Sequence, residues 1–246
     1  MPLTEYALVF LCLAAGGILK GATGAGAPVL AVPAMTMLFN AKFAVAVMVM
    51  PNLCTNLWQA WQYRKAILPG PFTWLFASAG AAGVILGTAI LALLPQEALA
   101  LIVAGSVYGF ILFRFLRPDW RVTLEVASRV GAPVGFVAGL LQGASGISAP
   151  VSLSFLNAMK LDRAAFIATV SIFFVAISGF QVPALGALGL LTTTSFLASV
   201  SALVPLVAFM PVGSRIARRL PKEAFDRVIL VLLGLLATKL FVDVLL

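Results

Sequence analysis

Lys20 and Gln142 occupy the same place in two copies of one motif. Gly17-Ile18-Leu19-Lys20-Gly21-Ala22-Thr23-Gly24-Ala25-Gly26-Ala27-Pro28-Val29 returns 122 residues later as Gly139-Leu140-Leu141-Gln142-Gly143-Ala144-Ser145-Gly146-Ile147-Ser148-Ala149-Pro150-Val151. Proline is favoured at the first helical position, so helix N-termini are expected at Ala27-Pro28 and Ala149-Pro150, near the middle of a membrane. Such an end offers free N–H groups and a partial positive charge, which suits an anion. Gly24, Gly26 and Gly146 let a ligand approach the backbone closely, and Thr23, Ser145 and Ser148 add hydroxyl donors. Lys20 is a basic residue deep in an apolar run, where a charge is a functional hypothesis by default. A structural role stands level with it, because a cation is also favoured at the C-terminal end of a helix.

A second group follows in Pro51-Asn52-Leu53-Cys54-Thr55-Asn56-Leu57-Trp58-Gln59, where Asn52, Asn56 and Gln59 fall on one helical face. Two roles are open to such a stripe: an interhelical hydrogen-bond seam or the wall of a wet cavity. The cavity is the favoured reading, because the second half repeats the pattern weakly with Ser171, Ser178 and Gln181.

These residues need elements to hold them, and composition says which kind. The chain of 246 residues is 62% hydrophobic and 10% charged, with mean hydropathy +1.12. A soluble domain carries about 25% charged residues. Apolar runs fall at about residues 5–39, 43–62, 71–94, 98–116, 128–158, 164–181, 190–212 and 224–246, several of them near the roughly 20 residues that cross a bilayer. Pro69-Gly70-Pro71, Pro95-Gln96-Glu97, Arg117-Pro118-Asp119 and Pro221-Lys222-Glu223 break them. The net charge of +8 comes from basic residues at segment ends, as in cytoplasmic loops, so a lipid bilayer rather than nucleic acid is the expected partner. Met1-Pro2-Leu3-Thr4-Glu5 has no basic stretch, which speaks against a cleaved signal peptide.

The first and fifth runs are too long for one span. Read as single broken crossings, they divide the basic residues almost evenly between the two sides. Read as re-entrant hairpins, they put Arg64, Lys65, Arg114, Arg117, Arg121, Arg129, Lys160, Arg163, Arg215, Arg218, Arg219, Lys222 and Arg227 on one side and only Lys42 and Lys239 on the other. The positive-inside rule selects the hairpins. The expected fold is therefore all-α and polytopic: one membrane domain of two inverted repeats, 1–122 and 123–246, each with one helical hairpin plus three transmembrane helices. Both termini would be periplasmic. From Glu5 to Lys20 a helix is about 24 Å long, deeper than half a bilayer.

Glycine spacing has a more ordinary meaning elsewhere. Gly17/Gly21, Gly83/Gly87, Gly105/Gly109 and Gly131/Gly135/Gly139/Gly143 are small-xxx-small patterns that mark close helix packing. The chain has no histidine. Its carboxylates stand at segment ends, except Asp243, which has Lys239 one turn away to neutralise it. A proton relay therefore lacks candidates, and so do a metal centre, a disulfide framework through Cys12 and Cys54, and an intramembrane enzyme.

At the doubled motif the chain resembles the sulfite exporter TauE/SafE family, also called the 4-toluene sulfonate uptake permease family. The Ala-rich helix starts Lys42-Phe43-Ala44-Val45-Ala46 and Asp162-Arg163-Ala164-Ala165 and the basic turn Tyr63-Arg64-Lys65 fit as well. The family's run of three glycines stands here as Gly24-Ala25-Gly26-Ala27 and Gly146-Ile147-Ser148-Ala149. The resemblance implies transport of sulfite, organosulfonates or related small anions across a bacterial inner membrane. The mechanism expected is alternating access, with a channel-like anion pore as the alternative. No cofactor is expected. Backbone carbonyls at the ends of the first hairpin arms could hold sodium, and sodium-coupled and uncoupled transport stand level. The sequence leaves the oligomeric state open.

Overall fold

In the computed structural model, which describes residues 3–116, 120–219 and 222–245, the chain is all-helical. The order is α1 (Leu3–Thr23), α2 (Ala27–Leu38), α3 (Ala41–Gln62), a short 3-10 turn (Arg64–Ala66), α4 (Phe72–Leu93), α5 (Gln96–Leu116), α6 (Leu124–Ser145), α7 (Ser152–Ala158), α8 (Arg163–Ala187), α9 (Thr193–Ser201), α10 (Leu203–Arg219) and α11 (Lys222–Leu245). The loop expected at Arg117-Pro118-Asp119 and the residue Pro221 lie outside the described residues. Among the described residues, five helical stretches are long and apolar enough to cross a membrane: 72–93, 96–116, 124–145, 163–187 and 193–217. The last of these joins α9 to α10 across Ala202. Helix α3 is as long as α4 but more polar, because Asn52, Thr55, Asn56 and Gln59 interrupt its apolar run.

Each copy of the motif ends a helix. After α1 the chain doubles back, and a Cβ on Gly16 would lie 3.1 Å from the Ala27 carbonyl oxygen and 3.2 Å from the Ala31 Cβ. Collinear helices would hold these residues about 16 Å apart. After α6 the chain also returns, since Val122, just before α6, donates its N–H to the carbonyl of Ala158 at the end of α7 (2.9 Å). The first arms are longer than a half-depth dip requires. At 21 and 22 residues, α1 and α6 are each about 32 Å long.

Glycines set the tightest helix contacts, and they do so twice. A Cβ on Gly17 or Gly21 would fall onto the carbonyl oxygen of Leu206 or Met210, and one on Gly213 onto that of Ile18. Matching positions increase together along both chains, so α1 and α10 run parallel with their backbones in contact. In the same way Gly135, Gly139 and Gly143 meet the carbonyls of Phe76, Gly80 and Val84, while Gly83 and Gly87 meet those of Phe136 and Leu140. Helices α4 and α6 are thus a second parallel pair. Gly17 lies opposite Leu206, midway along the 193–217 span, so Lys20 and the α1 break sit somewhat past that span's middle, towards Arg215. Gly105 and Gly109 do not follow the pattern. A Cβ at Gly105 would have nothing within 4 Å, and one at Gly109 would only touch Pro150. Spacing alone does not supply a neighbour.

Proline shapes α3. Pro51 has no N–H, so the Val47 carbonyl loses its helical partner. Ser199 of α9 replaces it, its Oγ donating to the Val47 carbonyl (2.8 Å) and accepting from the Met50 N–H (3.1 Å). Thr73 precedes Thr88 in α4 by the same spacing as Ser199 precedes Ser214 in α10. The helix beside α4 is α8, and there Phe173 stands at the place of Pro51 and keeps its N–H. Thr73 Oγ1 accordingly has no partner and neither does Thr169 Oγ1. At the C-terminus, Lys239 Nζ and the Asp243 carboxylate pair at 2.9 Å, as the sequence leads one to expect.

Two measurements in detergent check this packing by thermal unfolding. Gly139→Ala drives a methyl into the Gly80 backbone and costs about 1–3 kcal/mol, whereas Gly105→Ala leaves stability unchanged or raises it. Ser199→Ala strands a carbonyl and an N–H and costs about 1–3 kcal/mol, while Thr73→Val costs nothing.

Candidate functional site

The two breaks are built alike, bond for bond. Gly24 (φ 83) and Gly146 (φ 72) close α1 and α6 in the left-handed conformation that glycine reaches without strain. Their N–H groups donate to the carbonyls of Lys20 (2.7 Å) and Gln142 (2.8 Å). Thr23 Oγ1 donates to the Leu19 carbonyl (2.9 Å) and the Ala25 carbonyl and accepts from the Ala25 N–H (3.3 Å). Ser145 Oγ makes the same set with Leu141 (2.8 Å) and Ile147 (3.3 and 3.2 Å). Both hydroxyls therefore hold the ends of their own helices. The breaks also face each other's half: a Cβ on Gly24 would meet Ile167 of α8, and one on Gly146 would meet Val45 of α3. Val45 and Ile167 are themselves 122 residues apart, so these contacts are reciprocal.

After the breaks the copies diverge. Gly26 (φ 87) caps α2, which starts at Ala27 with Pro28 in its first turn. Ser148 stands at the place of Gly26 and does not take a positive φ, which is costly for a residue with a Cβ. Val151 donates to the Ser148 carbonyl (3.0 Å) as Val29 does to that of Gly26 (3.0 Å), but residues 149–151 form a turn and the second helix begins at Ser152, not at Ala149-Pro150. Ser148 Oγ accepts from Ser152 Oγ (3.0 Å).

From the end of α1 a buried polar chain runs through α3 to α8. Lys20 is 1% exposed and Asn56 fully buried. Lys20 Nζ donates to Asn56 Oδ1 (3.0 Å), joining α1 to α3. Asn56 Nδ2 donates to the Asn52 carbonyl (2.7 Å) and to Asn52 Oδ1 (2.9 Å), and Asn52 Nδ2 donates to Ser178 Oγ of α8 (3.0 Å). Asn52 and Asn56 thus engage each other and two neighbouring helices, the arrangement of an interhelical seam. The ammonium of Lys20 has three donors, and Asn56 takes one.

Other buried polar atoms have no partner. Gln59 Oε1 on α3 and Gln181 Nε2 on α8 are in this state, at places that match across the 122-residue spacing. Gln142 Oε1, which matches Lys20, is unpartnered as well, and so is Ser171 Oγ. Such atoms cost about 1–3 kcal/mol each when buried and unmade, and they mark where a ligand or water would be held. Of the residues picked out in sequence, Lys20, Asn52 and Asn56 are joined directly, Ser178 completes their chain, and Gln59, Gln142 and Gln181 carry the free atoms. Thr23 is exposed and Ser145 buried. Ser199 and Ser214 were not legible as important, although the carbonyl freed by Pro51 calls for a donor. Ser214 Oγ donates to the Gly21 carbonyl (2.9 Å) at the base of the first break. No group of His, Cys, Asp or Glu among the described residues could hold a metal.

An all-helical chain with long apolar spans, two helix breaks and a buried lysine at the end of α1 has the build of a multi-pass membrane transport protein. The family model described as sulfite exporter TauE/SafE matches residues 8–240, and the chain belongs to that family. Its members are sulfite and sulfonate transporters rather than enzymes. Neither the curated proteins nor the solved structures hold a match to the chain.

A double-mutant cycle tests the Lys20–Asn56 bond. Asn56→Leu leaves a buried ammonium unsatisfied and should lower stability by about 1.5–3 kcal/mol. Adding Lys20→Met removes the stranded charge and should recover most of that loss. Additive losses in detergent melting would show that the two side chains do not interact.

Proposed function

We propose that the chain is a secondary transporter for sulfite, organosulfonates or related small anions, working across the bacterial inner membrane by alternating access. The observation that carries this reading is the buried ammonium of Lys20. It has an amide partner and no carboxylate among the described residues, and a buried cation with spare donors favours an incoming anion. The start of α2 supports it, since this helix N-terminus follows Lys20 and Thr23 in the same break.

The halves 1–122 and 123–246 are read as inverted repeats, with both termini periplasmic and the basic loops cytoplasmic. The reciprocal contacts of the two breaks favour a two-fold relation between the halves. The moving parts on this reading are not the halves themselves. Each glycine-lined pair takes one helix from either half, so α1 with α10 and α4 with α6 act as rigid units, and the seam between α3 and α8 opens and closes. That seam also favours alternating access over a pore, because the Asn52–Ser178 bond closes the polar stripe across the middle of the molecule.

In proteoliposomes, Lys20→Ala and Asn56→Ala should cut sulfite or sulfonate flux at least tenfold in protein that still elutes as a single species. Labelled substrate should also show counterflow, which a simple pore lacks. Unchanged flux in both variants would remove the site assignment, and flux without counterflow would favour the pore. Running the same assay with and without a sodium gradient decides between coupled and uncoupled transport.

A further inference from the structure

Lys20 is the one charged side chain among those buried in the described residues. Its counterpart in the second copy of the motif, Gln142, is equally buried and uncharged. The difference is not filled by another basic residue nearby: the buried polar groups on α8 are Thr169, Ser171, Ser178 and Gln181. One end of the polar region thus has a lysine with its amide partner. The other has amides and hydroxyls, of which Gln142 Oε1, Gln181 Nε2 and Ser171 Oγ are buried and unpartnered.

The repeat relates two of these to the residues around the Lys20–Asn56 bond. In the first half, Lys20 of α1 reaches Asn56 of α3, and Gln59 is the next residue on the same face. The matching residues are Gln142 of α6, Ser178 of α8 and Gln181 of α8. Ser178 Oγ is already engaged by Asn52, so Gln142 and Gln181 are the pair left with open capacity. An amide offers both a donor and an acceptor. Two of them can hold a hydroxyl, which gives a proton to one and accepts from the other. They offer a second anionic group no charge to offset its desolvation.

We propose that Gln142 and Gln181 form a neutral second subsite, so that the protein selects monoanions carrying an uncharged hydrogen-bonding group over dianions. This rests on the anion-transport reading above and adds the charge and shape of the substrate. Lys20 would hold the anionic group, and the amide pair would hold the polar end.

Three probes of similar size separate the terms in proteoliposomes: ethanesulfonate, 2-hydroxyethanesulfonate and ethane-1,2-disulfonate. Wild-type protein should move the hydroxylated monoanion with a kcat/KM about tenfold above the plain one, as one added net hydrogen bond gives, and the disulfonate least well. Gln142→Leu should bring the ratio of the two monoanions close to one. Gln142→Lys should raise disulfonate flux above that of the hydroxylated monoanion. If Gln142→Leu does not fold, Gln181→Leu reads the same ratio. Disulfonate moved by wild type as readily as the monoanions overturns the proposal, and so does a monoanion ratio that survives both leucine variants. If none of the three probes moves and sulfite does not either, the anion-transport reading falls and this proposal falls with it.

Discussion

An ammonium group buried among apolar helices has to find oxygen, and the rest of this structure can be followed outward from that need. Asn56 supplies the oxygen to Lys20. Its amide is held in place because its nitrogen donates twice to Asn52, which fixes the orientation of the Asn56 carbonyl towards the lysine. Asn52 is in turn held by Ser178. Three helices are therefore tied through one line of side chains. The line works only if α1 stays at a set distance from α3, and backbone contact with α10 at Gly17, Gly21 and Gly213 sets that distance. Loose packing at the glycines would be felt at the charge.

The two copies of the motif share their scaffold and differ in chemistry. Capping glycines, capping hydroxyls and parallel glycine pairs recur at matching positions, which makes the framework of the two breaks nearly the same. The departures fall where something other than framework is decided. Lys20 faces Gln142 across the repeat, Gly26 faces Ser148, and Pro51 faces Phe173. The first sets charge, the second the starting point of the short helix, and the third whether the long helix opens a carbonyl that a neighbour must close. The shared framework sets the geometry of the breaks, and these three differences make the two ends unequal.

The parts of this molecule that depend on short stretches of sequence were legible in it. The breaks, the starts of α2, α3 and α8 and the packing role of Gly17, Gly21, Gly139 and Gly143 follow from residue type and spacing. The start of α7 was placed three residues early, because Pro150 lies in a turn and regular helix begins only at Ser152. Gly105 and Gly109 have the spacing of a packing motif but face no backbone, and a pattern on one helix carries no information about its neighbour. The Lys20–Asn56 bond was not legible as a bond, although both residues were picked out, because 36 residues separate them and only the helix packing brings them together. Ser199 is the clearest omission. One serine among the six hydroxyl residues between Thr192 and Ser201 has no signal of its own, and its meaning comes from a proline 148 residues earlier in the chain.

Translation runs from one end, and the glycine pairs respond to that order differently. Helix α4 meets its partner α6 after a single intervening helix. Eight helices, α2 to α9, come between α1 and its partner α10. Until α10 is made, the glycine face of α1 therefore lacks the backbone that covers it in the finished fold. Asn56 emerges early enough to accept from Lys20 during that interval. The same bond that shapes the finished site thus offers α1 an anchor on α3 while its partner α10 has still to be made.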